Sequence, residues 1–278
     1  MIEILHTGDV HLGKKFSGFG GFGRTLRQQV RQTFFQLLRQ APGHAQLVLV
    51  AGDLFDSNSP DPAEVRQFLR AVREIAPLPV CVLPGTHDRL SSDSVYHRAE
   101  FAAGQAPANL HLFRQDGPQT FPFERLGVAV HGRANLVNRG GEPPLKDIRP
   151  HPEARFNVAL AHASVPLPQF EADQDHDYYV SRQDAENSGM DYIALAHWHR
   201  FGECFPGAPV RAFYSGSPEA VDFAGAETQG CWARVRWGEH GVSVEKVPSG
   251  CFTWRQAEAD LSGQDEDAPV RQLLEQYA

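Results

Sequence analysis

The stretch Leu47-Val-Leu-Val-Ala-Gly-Asp-Leu-Phe-Asp56 passes directly from an apolar run to a glycine and two carboxylates. Short apolar runs bounded by Gly, Pro and Asp are typical of buried strands. Four other apolar runs lead into potential metal ligands in the same way: Ile4–Leu5 before Asp9 and His11, Val80–Leu83 before Gly85–Asp88, Val158–Ala161 before His162, and Ile193–Ala196 before His197–His199. Open α/β sheets bind ligands beyond the carboxyl ends of their strands. The five strand ends therefore predict one site built from His and Asp.

Helical segments lie between these predicted strands. Asp61 is placed to cap a helix that begins at Pro62, with Glu64 closing a capping box. Its apolar face comprises Val65, Phe68, Leu69, Val72 and Ile75, and an earlier helix has the matching face Leu26, Val30, Phe34 and Leu38. A short third helix is bracketed by Ser181, Asp184 and Gly189. The alternation of strand and helix favours a layered α/β fold.

The composition of the 278-residue chain is typical of a cytoplasmic enzyme without a membrane span. The N-terminus lacks the pattern of an export signal. The four cysteines are widely separated in the sequence, which favours reduced thiols over a disulfide framework. The net charge of -8 argues against a protein that binds nucleic acid through an excess of basic charge. It does not exclude a phosphodiesterase, because bound divalent ions reverse the local charge where a phosphate sits.

Two of the ligand motifs have the spacing of a chelate. One residue separates Asp9 from His11, and one separates His197 from His199. Residues i and i+2 of an extended segment point to the same side, so each pair can direct two donors at one ion. A mixture of carboxylate oxygen and imidazole nitrogen without thiolates suits Mn²⁺, Fe²⁺ or Zn²⁺, and it does not suit a closed structural zinc site.

The remaining donors depend on their surroundings in the sequence. Asp53 and Asp56 follow Gly52, which allows the chain to turn sharply away from its strand. A lone strand-end histidine such as His162 is more often a hydrogen-bonded core residue than a ligand. Because His162 accompanies four other ligand motifs, we predict that it binds metal.

The five motifs, in this order, resemble those of the calcineurin-like metallophosphoesterase superfamily. Three longer segments resemble SbcD-type DNA repair nucleases more closely: His6–Gly13, Gly52–Asp56, and Tyr214–Glu219 with Asp222 and Phe223 after it. The resemblance spans roughly residues 1 to 260 and implies a layered α/β/β/α sandwich.

The resemblance also implies two divalent ions, Mn²⁺ by preference and Fe²⁺ or Zn²⁺ otherwise. The implied ligands are Asp9, His11 and His199 for the first ion and His162 and His197 for the second, with Asp53 bridging them. Two ions about 4 Å apart can clamp a phosphate and lower the pKa of an attacking water. By the same resemblance, His87 is not a ligand but faces the scissile phosphate, as a transition-state stabiliser or an acid. Asp88 is expected either to orient the His87 imidazole or to cap the Ser-rich turn that follows.

Thr86 departs from the family pattern, which has Asn at this position to complete the shell of the second ion. Threonine offers a neutral oxygen on a shorter arm, so it ligates directly, through water, or not at all. We therefore expect a weak second ion, with Asp56 or Asp88 as alternative compensating groups. The substitution is also the main argument for reduced or altered catalysis.

A glycine-rich loop with three phenylalanines follows the first ligand motif. Lys14, Lys15, Phe19, Phe22 and Arg24 are candidate DNA contacts, since aromatic rings stack on bases and cations pair with phosphates. The alternative is a mobile surface loop whose phenylalanines tuck against the domain.

A second acidic segment, at residues 173–177, reads Asp-Gln-Asp-His-Asp but is not framed by a strand. We interpret it as a solvated acidic loop and not as a third metal site. Beyond Gly250, residues 251–278 hold one strand-like and one helix-like segment, too few to bury a core. By resemblance, residues 1–250 form the nuclease domain and residues 251–278 begin a capping domain that is cut short, either by truncation or because the chain is naturally short.

Three functions remain open. The first is a metal-dependent DNA phosphodiesterase of SbcD type, an exonuclease or an endonuclease in DNA repair, which by resemblance forms a homodimer and works with an SbcC-like ATPase. The second is a phosphodiesterase that acts on a small nucleotide or another phosphoester, because the motifs specify chemistry and not substrate. The third is a non-catalytic DNA-binding or scaffold subunit whose second metal site has decayed at Thr86.

Overall fold

The computed structural model describes residues 1–166, 178–223, 227–258 and 268–277, and the predicted acidic loop at 173–177 lies outside these ranges. The described strands are β1 (Ile2–Thr7), β2 (Leu47–Val50), β3 (Val80–Val82), β4 (Leu110–Leu112), β5 (Pro118–Phe123), β6 (Val128–Arg133), β7 (Phe156–His162), β8 (Tyr192–Ala196), β9 (Phe201–Glu203), β10 (Arg211–Ser215), β11 (Glu227–Gly238) and β12 (Gly241–Arg255). The α-helices are α1 (Phe22–Gln40), α2 (Pro62–Glu74), α3 (Arg182–Asn187) and α4 (Ala268–Tyr277).

The strands form two six-stranded mixed sheets. The first sheet has the order β12-β11-β1-β2-β3-β4, in which β1 to β4 are parallel and β11 is antiparallel to both of its neighbours. The second has the order β5-β6-β7-β8-β10-β9, in which β6, β7, β8 and β10 are parallel. All five predicted ligand strands are present, three in the first sheet and two in the second.

Strand β2 shows how the layers are held together. Its four residues are all buried, and alternate residues face opposite sides of the sheet. Val48 and Val50 lie in an apolar cluster with residues of α1 and α2, whereas Leu47 and Leu49 lie in a cluster with residues of β7 and β8. A third cluster joins the outer face of the second sheet to Ala185 of α3. The predicted α/β/β/α sandwich is confirmed.

The helix boundaries agree with the capping signals in the sequence. The Asp61 carboxylate accepts a hydrogen bond of 2.8 Å from the Ala63 amide, which contributes about 1 kcal/mol at a typical N-cap. Glu64 was predicted to close a capping box, but its carboxylate instead lies 3.3 Å from the Arg31 guanidinium on α1. At α3, Ser181 and Asp184 form a reciprocal capping box.

Strand β12 continues past the boundary predicted at residue 250. It pairs with β11 as far as Arg255, so the first residues of the predicted capping domain belong to the first sheet. The buried Glu219 carboxylate holds this end of the strand by accepting hydrogen bonds from the amides of Cys251 and Phe252 and from the Thr33 hydroxyl. The division into two domains stays a prediction. Within the described ranges, no helix combines the length and the apolar character that crossing a membrane requires.

Candidate metal centre

The predicted ligands converge from both sheets. Asp9, Asp53 and Thr86 follow β1, β2 and β3 of the first sheet, while His162 ends β7 and His197 follows β8 of the second. All of these side chains are buried except that of His197, which is partly exposed. The side chains meet where the parallel strands of both sheets end, which is where the sequence placed the site.

The backbone at this site is strained. Asp9, His11, Asp53 and His197 have positive φ angles of 49°, 51°, 50° and 113°, a region that residues with a side chain rarely adopt. Each such residue costs on the order of 1–3 kcal/mol, which the surrounding fold has to offset. Strain of this kind clusters at functional sites, and four of the predicted ligands share it.

Two glycines give the ligands room. Gly52 has a φ of +105°, and a Cβ at this position would lie 2.3 Å from Nδ1 of His162. A Cβ at Gly85 would lie 2.2 Å from Oδ1 of Asp53. Both distances are far below van der Waals contact, so any other residue at either position would displace a ligand side chain.

The first group of donors consists of Asp9, His11 and His199. The Nε2 atoms of the two histidines face each other at 3.2 Å, and Nε2 of His199 lies 4.0 Å from Oδ1 of Asp9. Nδ1 of His11 contacts Oδ1 of Asp56 at 3.1 Å, and Nδ1 of His199 contacts Oδ2 of Asp222 at 2.6 Å. Each carboxylate holds the outer nitrogen of its histidine, which turns Nε2 toward the shared centre.

The second group surrounds Nε2 of His162. This atom lies 3.2 Å from Oδ2 of Asp53, 3.4 Å from Nδ1 of His197 and 3.4 Å from the Thr86 hydroxyl. Nδ1 of His162 lies 3.1 Å from the Ala51 carbonyl oxygen, which fixes the ring. The Asp53 carboxylate lies between the two groups, since Oδ2 is also 3.9 Å from Nε2 of His11.

These separations fit divalent ions. An ion with bonds of about 2.1 Å to donors at angles near 90–110° holds neighbouring donors about 3.0–3.4 Å apart. The contacts His11–His199, His162–Asp53 and His162–His197 all lie between 3.2 and 3.4 Å. Nδ1 of His11 and Nδ1 of His199 each contact a carboxylate, so the two facing Nε2 atoms are both acceptors in the neutral rings, and a shared cation is the natural occupant between them.

The electrostatics favour a cation as well. Burial opposes protonation of His162, yet the charges of Asp53 and Asp9 outweigh it and raise the pKa of His162 to about 9. Burial alone would raise the pKa of Asp53, but the charge and hydrogen bond of His162 hold it well below its usual range. For His11, burial prevails and lowers the pKa, which keeps that imidazole neutral and able to ligate.

Thr86 lies at the second group of donors. Its hydroxyl oxygen is 3.4 Å from Oδ2 of Asp53 as well as 3.4 Å from Nε2 of His162. This oxygen therefore lies at the edge of the second donor group, at the position where the resemblance implies an asparagine oxygen. Asp56 lies on the side of His11, so it is not positioned to compensate at the second group.

His87 borders the centre, and one of its ring nitrogens lies within 4.8 Å of donor atoms of His11 and Asp53. Its ring is exposed and meets the His11 ring edge to face, with centroids 4.7 Å apart. The His87 amide donates to Oδ1 of Asp53 at 2.8 Å, and Nδ1 lies 3.1 Å from the Asp56 carbonyl oxygen. When the His87 Nδ1–H donates to this carbonyl oxygen, Nε2 of His87 is left to contact a substrate.

The contacts of Asp88 correct both of its predicted roles. Its carboxylate is buried and accepts hydrogen bonds from the Gly85 amide, the Phe55 amide and the Tyr96 hydroxyl at 2.7, 3.0 and 2.6 Å. It therefore ties the loop after β3 to the loop after β2, instead of orienting the His87 ring or capping the turn that follows. Burial and the nearby Asp53 charge raise the pKa of Asp88 to about 6.

The glycine-rich loop contributes to an exposed aromatic patch, which we define as Phe19, Phe22, Phe223, Phe252 and Trp254. The centroid of Trp254 lies 5.1 Å from that of Phe19 and 4.9 Å from that of Phe223, and Phe22 and Phe252 are 5.8 Å apart. Phe19, Phe22 and Phe223 are 42%, 51% and 54% exposed, although large apolar side chains are usually covered.

The phenylalanines of the loop differ in their burial, and the DNA contacts of the loop stay a prediction. Phe16 is buried against Trp254, as a tucked phenylalanine would be, whereas Phe19 and Phe22 stay open to solvent. Lys14 lies 3.8 Å from Asp56, and Lys15 and Arg24 are exposed.

Sequence reasoning missed Asp222 as a positioning residue and Phe223, Phe252 and Trp254 as part of the patch. The only signal in the sequence was that Asp222 and Phe223 belong to the quoted SbcD-like segment.

Comparisons with known proteins identify several relatives of this chain. The chain is 24% identical over 288 residues to the uncharacterized metallophosphoesterase YhaO of Bacillus subtilis (strain 168), covering 99% of this chain and 67% of YhaO. It is 26% identical over 244 residues to the DNA double-strand break repair protein Mre11 of Methanopyrus kandleri, a match that covers 80% of this chain and 50% of that protein. It is 27% identical over 206 residues to Mre11 of Sulfurisphaera tokodaii, a match that covers 71% of this chain and 49% of that protein. The chain therefore spans about half the length of both Mre11 relatives.

The fold is similar to that of purple acid phosphatase PPD1 from yellow lupin seeds, with a TM-score of 0.53 and 13% identity, covering 89% of this chain and 51% of that one. At this identity, the likeness concerns the fold alone. A model of the calcineurin-like phosphoesterase family matches residues 2–201. Because this match covers well over half of the sequence, the chain belongs to the calcineurin-like phosphoesterase family.

Proposed function

We propose that this protein is a DNA phosphodiesterase of the SbcD type that uses two divalent ions, preferably Mn²⁺. One observation carries the proposal: two groups of metal donors share the Asp53 carboxylate, with distances of 3.2 Å to His162 and 3.9 Å to His11. Membership of the family supports a metal-dependent phosphoesterase. The number of ions, their identity and the nucleic-acid substrate are proposed here in addition.

Each residue has a distinct task in this proposal. One ion would be held by Asp9, His11 and His199. The other would be held by His162, His197 and Thr86, and Asp53 would contribute to the binding of both ions. Divalent ions bound there would polarise the phosphate and activate water. His87 in its doubly protonated form would donate the Nε2 proton to the leaving oxygen and become the neutral ring, while its Nδ1–H stays engaged by the Asp56 carbonyl. Asp222 would hold His199 in the orientation that ligation requires.

The aromatic patch supports DNA as the substrate. One member of the patch, Phe223, directly follows Asp222, which contacts His199 of the first donor group. Exposed rings stack on bases of any sequence, and Lys14, Lys15 and Arg24 add positive charge in the same loop. Two relatives are named as DNA double-strand break repair proteins, which points the same way.

Two other functions remain as alternatives. A phosphodiesterase for small nucleotides would need the same donor groups but not the aromatic patch. A non-catalytic DNA-binding subunit would follow if Thr86 did not support the second ion, yet the Thr86 hydroxyl faces that donor group at 3.4 Å. This contact favours a working second site of reduced affinity.

We further propose a homodimer, an SbcC-like ATPase partner and a cytoplasmic location. The first two rest on the resemblance to SbcD, and the third on the free cysteines Cys81, Cys204, Cys231 and Cys251. Sedimentation over a wide concentration range tests self-association of this chain, and the presence of monomer alone would count against the dimer.

The decisive experiment is a Mn²⁺ titration of hydrolysis on four substrates: single-stranded DNA, double-stranded DNA, cyclic nucleotides and a bis-aryl phosphodiester. We expect Mn²⁺-dependent cleavage of DNA, reduced roughly 10²–10⁴-fold in His87→Ala, with metal content unchanged. Hydrolysis of the bis-aryl compound and of cyclic nucleotides but not of DNA would support the small-substrate alternative. No hydrolysis of any substrate would support the non-catalytic subunit. Loss of metal from His87→Ala would show that His87 is a ligand.

A further inference from the structure

The outer face of α1 carries an arginine groove, which we define as the cleft lined by Arg24, Arg31, Phe35, Arg39, Gln67 and Arg70. Successive α1 members are separated by seven, four and four residues, which places them along one side of the helix, and Phe35 forms the buried floor. Helix α2 supplies the opposite wall through Gln67 and Arg70. The groove is thus a continuous channel between the two helices.

The net charge of these two helices is opposite in sign to the net charge of the whole chain. Helix α1 has four arginines and no acidic residue, and α2 has three arginines and two glutamates. The pair therefore carries a net charge of +5, whereas the whole chain carries -8. A concentration of arginine on one surface of an acidic protein indicates that this surface meets an anion.

The arginines of the groove have different local partners. Arg31 contacts Glu64 and Gln67, which holds it in place but offsets part of its charge. Arg24, Arg39 and Arg70 are exposed, and none of them forms an ion pair within the part of the chain that the structure describes. Glu74 lies at the far end of the groove and limits the positive surface there.

The groove is joined to the metal centre. Arg27 also lines this cavity, and its guanidinium donates hydrogen bonds of 3.1 Å to the carbonyl oxygens of Lys14 and Lys15. Lys14 in turn lies 3.8 Å from Asp56, which contacts His11. This series of contacts links the groove to the first donor group through Arg27, Lys14 and Asp56.

From these observations we propose that the arginine groove binds the phosphate backbone of a nucleic-acid strand beyond the scissile bond. The inference rests on the proposed function and extends it, because it makes binding depend on strand length. Arg24 and Arg39 are fifteen residues apart on α1, which corresponds to about 22 Å, or about six phosphates at 3.4 Å per residue of a duplex strand. Guanidinium groups bind phosphate in a bidentate manner, and the glutamine can donate further hydrogen bonds.

The test compares two double variants with the same loss of charge. Arg39→Gln with Arg70→Gln removes two arginines from the groove, and Arg66→Gln with Arg125→Gln removes two exposed arginines outside it. Binding of labelled single-stranded DNA of 6 and 30 nucleotides is measured by fluorescence anisotropy in EDTA at several salt concentrations, so that cleavage does not interfere.

We expect the wild-type protein to bind the longer strand more tightly. The groove variant should lose about 5-fold per arginine for the longer strand at 0.1 M salt, and the slope of log K against log salt should fall by about 1.4. The control variant should lose little. Arg39→Lys with Arg70→Lys retains the charge and should retain most of the binding, which separates lost contacts from misfolding.

Equal loss in the groove and control variants, or an unchanged length dependence in the groove variant, would overturn the proposal. Competition by poly-glutamate as effective as that by DNA would assign the groove to an acidic protein partner and would also overturn it. Hydrolysis of a bis-aryl phosphodiester by the wild-type protein is measured in parallel. Its absence would count against the proposed function alone, because the binding assay needs no catalysis.

Discussion

Binding of a divalent ion should displace a proton from His162, so that metal affinity rises with pH. In the metal-free protein the Asp53 and Asp9 charges outweigh burial and raise the pKa of His162 to about 9. At pH 7 the ring is therefore protonated, whereas a ligating imidazole must be neutral. The proton must leave before the ion can bind, and this competition weakens as the pH approaches the pKa from below.

The size of the effect follows from the pKa. Two pH units separate pH 7 from a pKa of about 9, so loss of the proton costs about 2.7 kcal/mol and lowers affinity about 100-fold at pH 7. Between pH 7 and pH 8.5 the affinity should rise about 20-fold, and it should level off above pH 9. The pKa of His199 is also raised, chiefly by its hydrogen bond to Asp222 against the effect of burial, and this acts in the same direction.

Calorimetric titration of the metal-free protein with Mn²⁺, in two buffers with different ionisation enthalpies, measures the protons released per ion. We expect at least one proton at pH 7. His162→Gln should remove this release and flatten the dependence of affinity on pH. An affinity that is constant between pH 7 and pH 8.5, without proton release, would refute the assignment of His162 as a ligand held protonated by Asp53 and Asp9.

Three substitutions test other parts of the centre. Asp53→Ala should abolish turnover and most metal binding, because it removes the carboxylate shared by both donor groups; near-normal activity with bound metal would contradict the two-ion arrangement. Thr86→Asn should lower the Mn²⁺ concentration for half-maximal cleavage by about tenfold, and two fully occupied sites at low Mn²⁺ by anomalous scattering, with unchanged metal dependence in the variant, would show that Thr86 already suffices. Asp222→Asn should weaken binding of one ion about 10–100-fold by freeing the His199 ring, whereas equal metal affinity by calorimetry would assign Asp222 no part in the centre.

The core of the fold and the convergence of the ligands could be predicted from the sequence because both depend on local patterns. An apolar run such as Leu47–Val50 identifies a buried strand, and the polar residues after it must lie at the strand end. The role of Asp88 could not be predicted in this way. Its partners Phe55 and Tyr96 lie on other segments, and only the folded chain brings them to its carboxylate.

The boundary proposed at residue 250 shows a second limit of sequence patterns. Pro248 and Gly250 interrupt the apolar alternation, yet β12 continues through both of them. A Cβ at Gly250 would lie 2.6 Å from the amide nitrogen of Gly230, so this glycine permits close approach of two strands near a register shift in β11. The membership of Phe223, Phe252 and Trp254 in the aromatic patch could not be predicted for a related reason, since Trp254 on β12 meets Phe19 only in the folded chain.

Because the donors originate in two different sheets, a divalent ion bound by them would hold the two halves of the sandwich together. Asp53 belongs to the first sheet and His162 to the second, and an ion held by both couples its own binding to the docking of one sheet on the other. An ion at 100 times its dissociation constant would add about 2.7 kcal/mol to the free energy of unfolding. A chelator would then act as a mild denaturant. The supply of divalent metal in the cell would set the lifetime of the folded protein as well as the rate of its reaction.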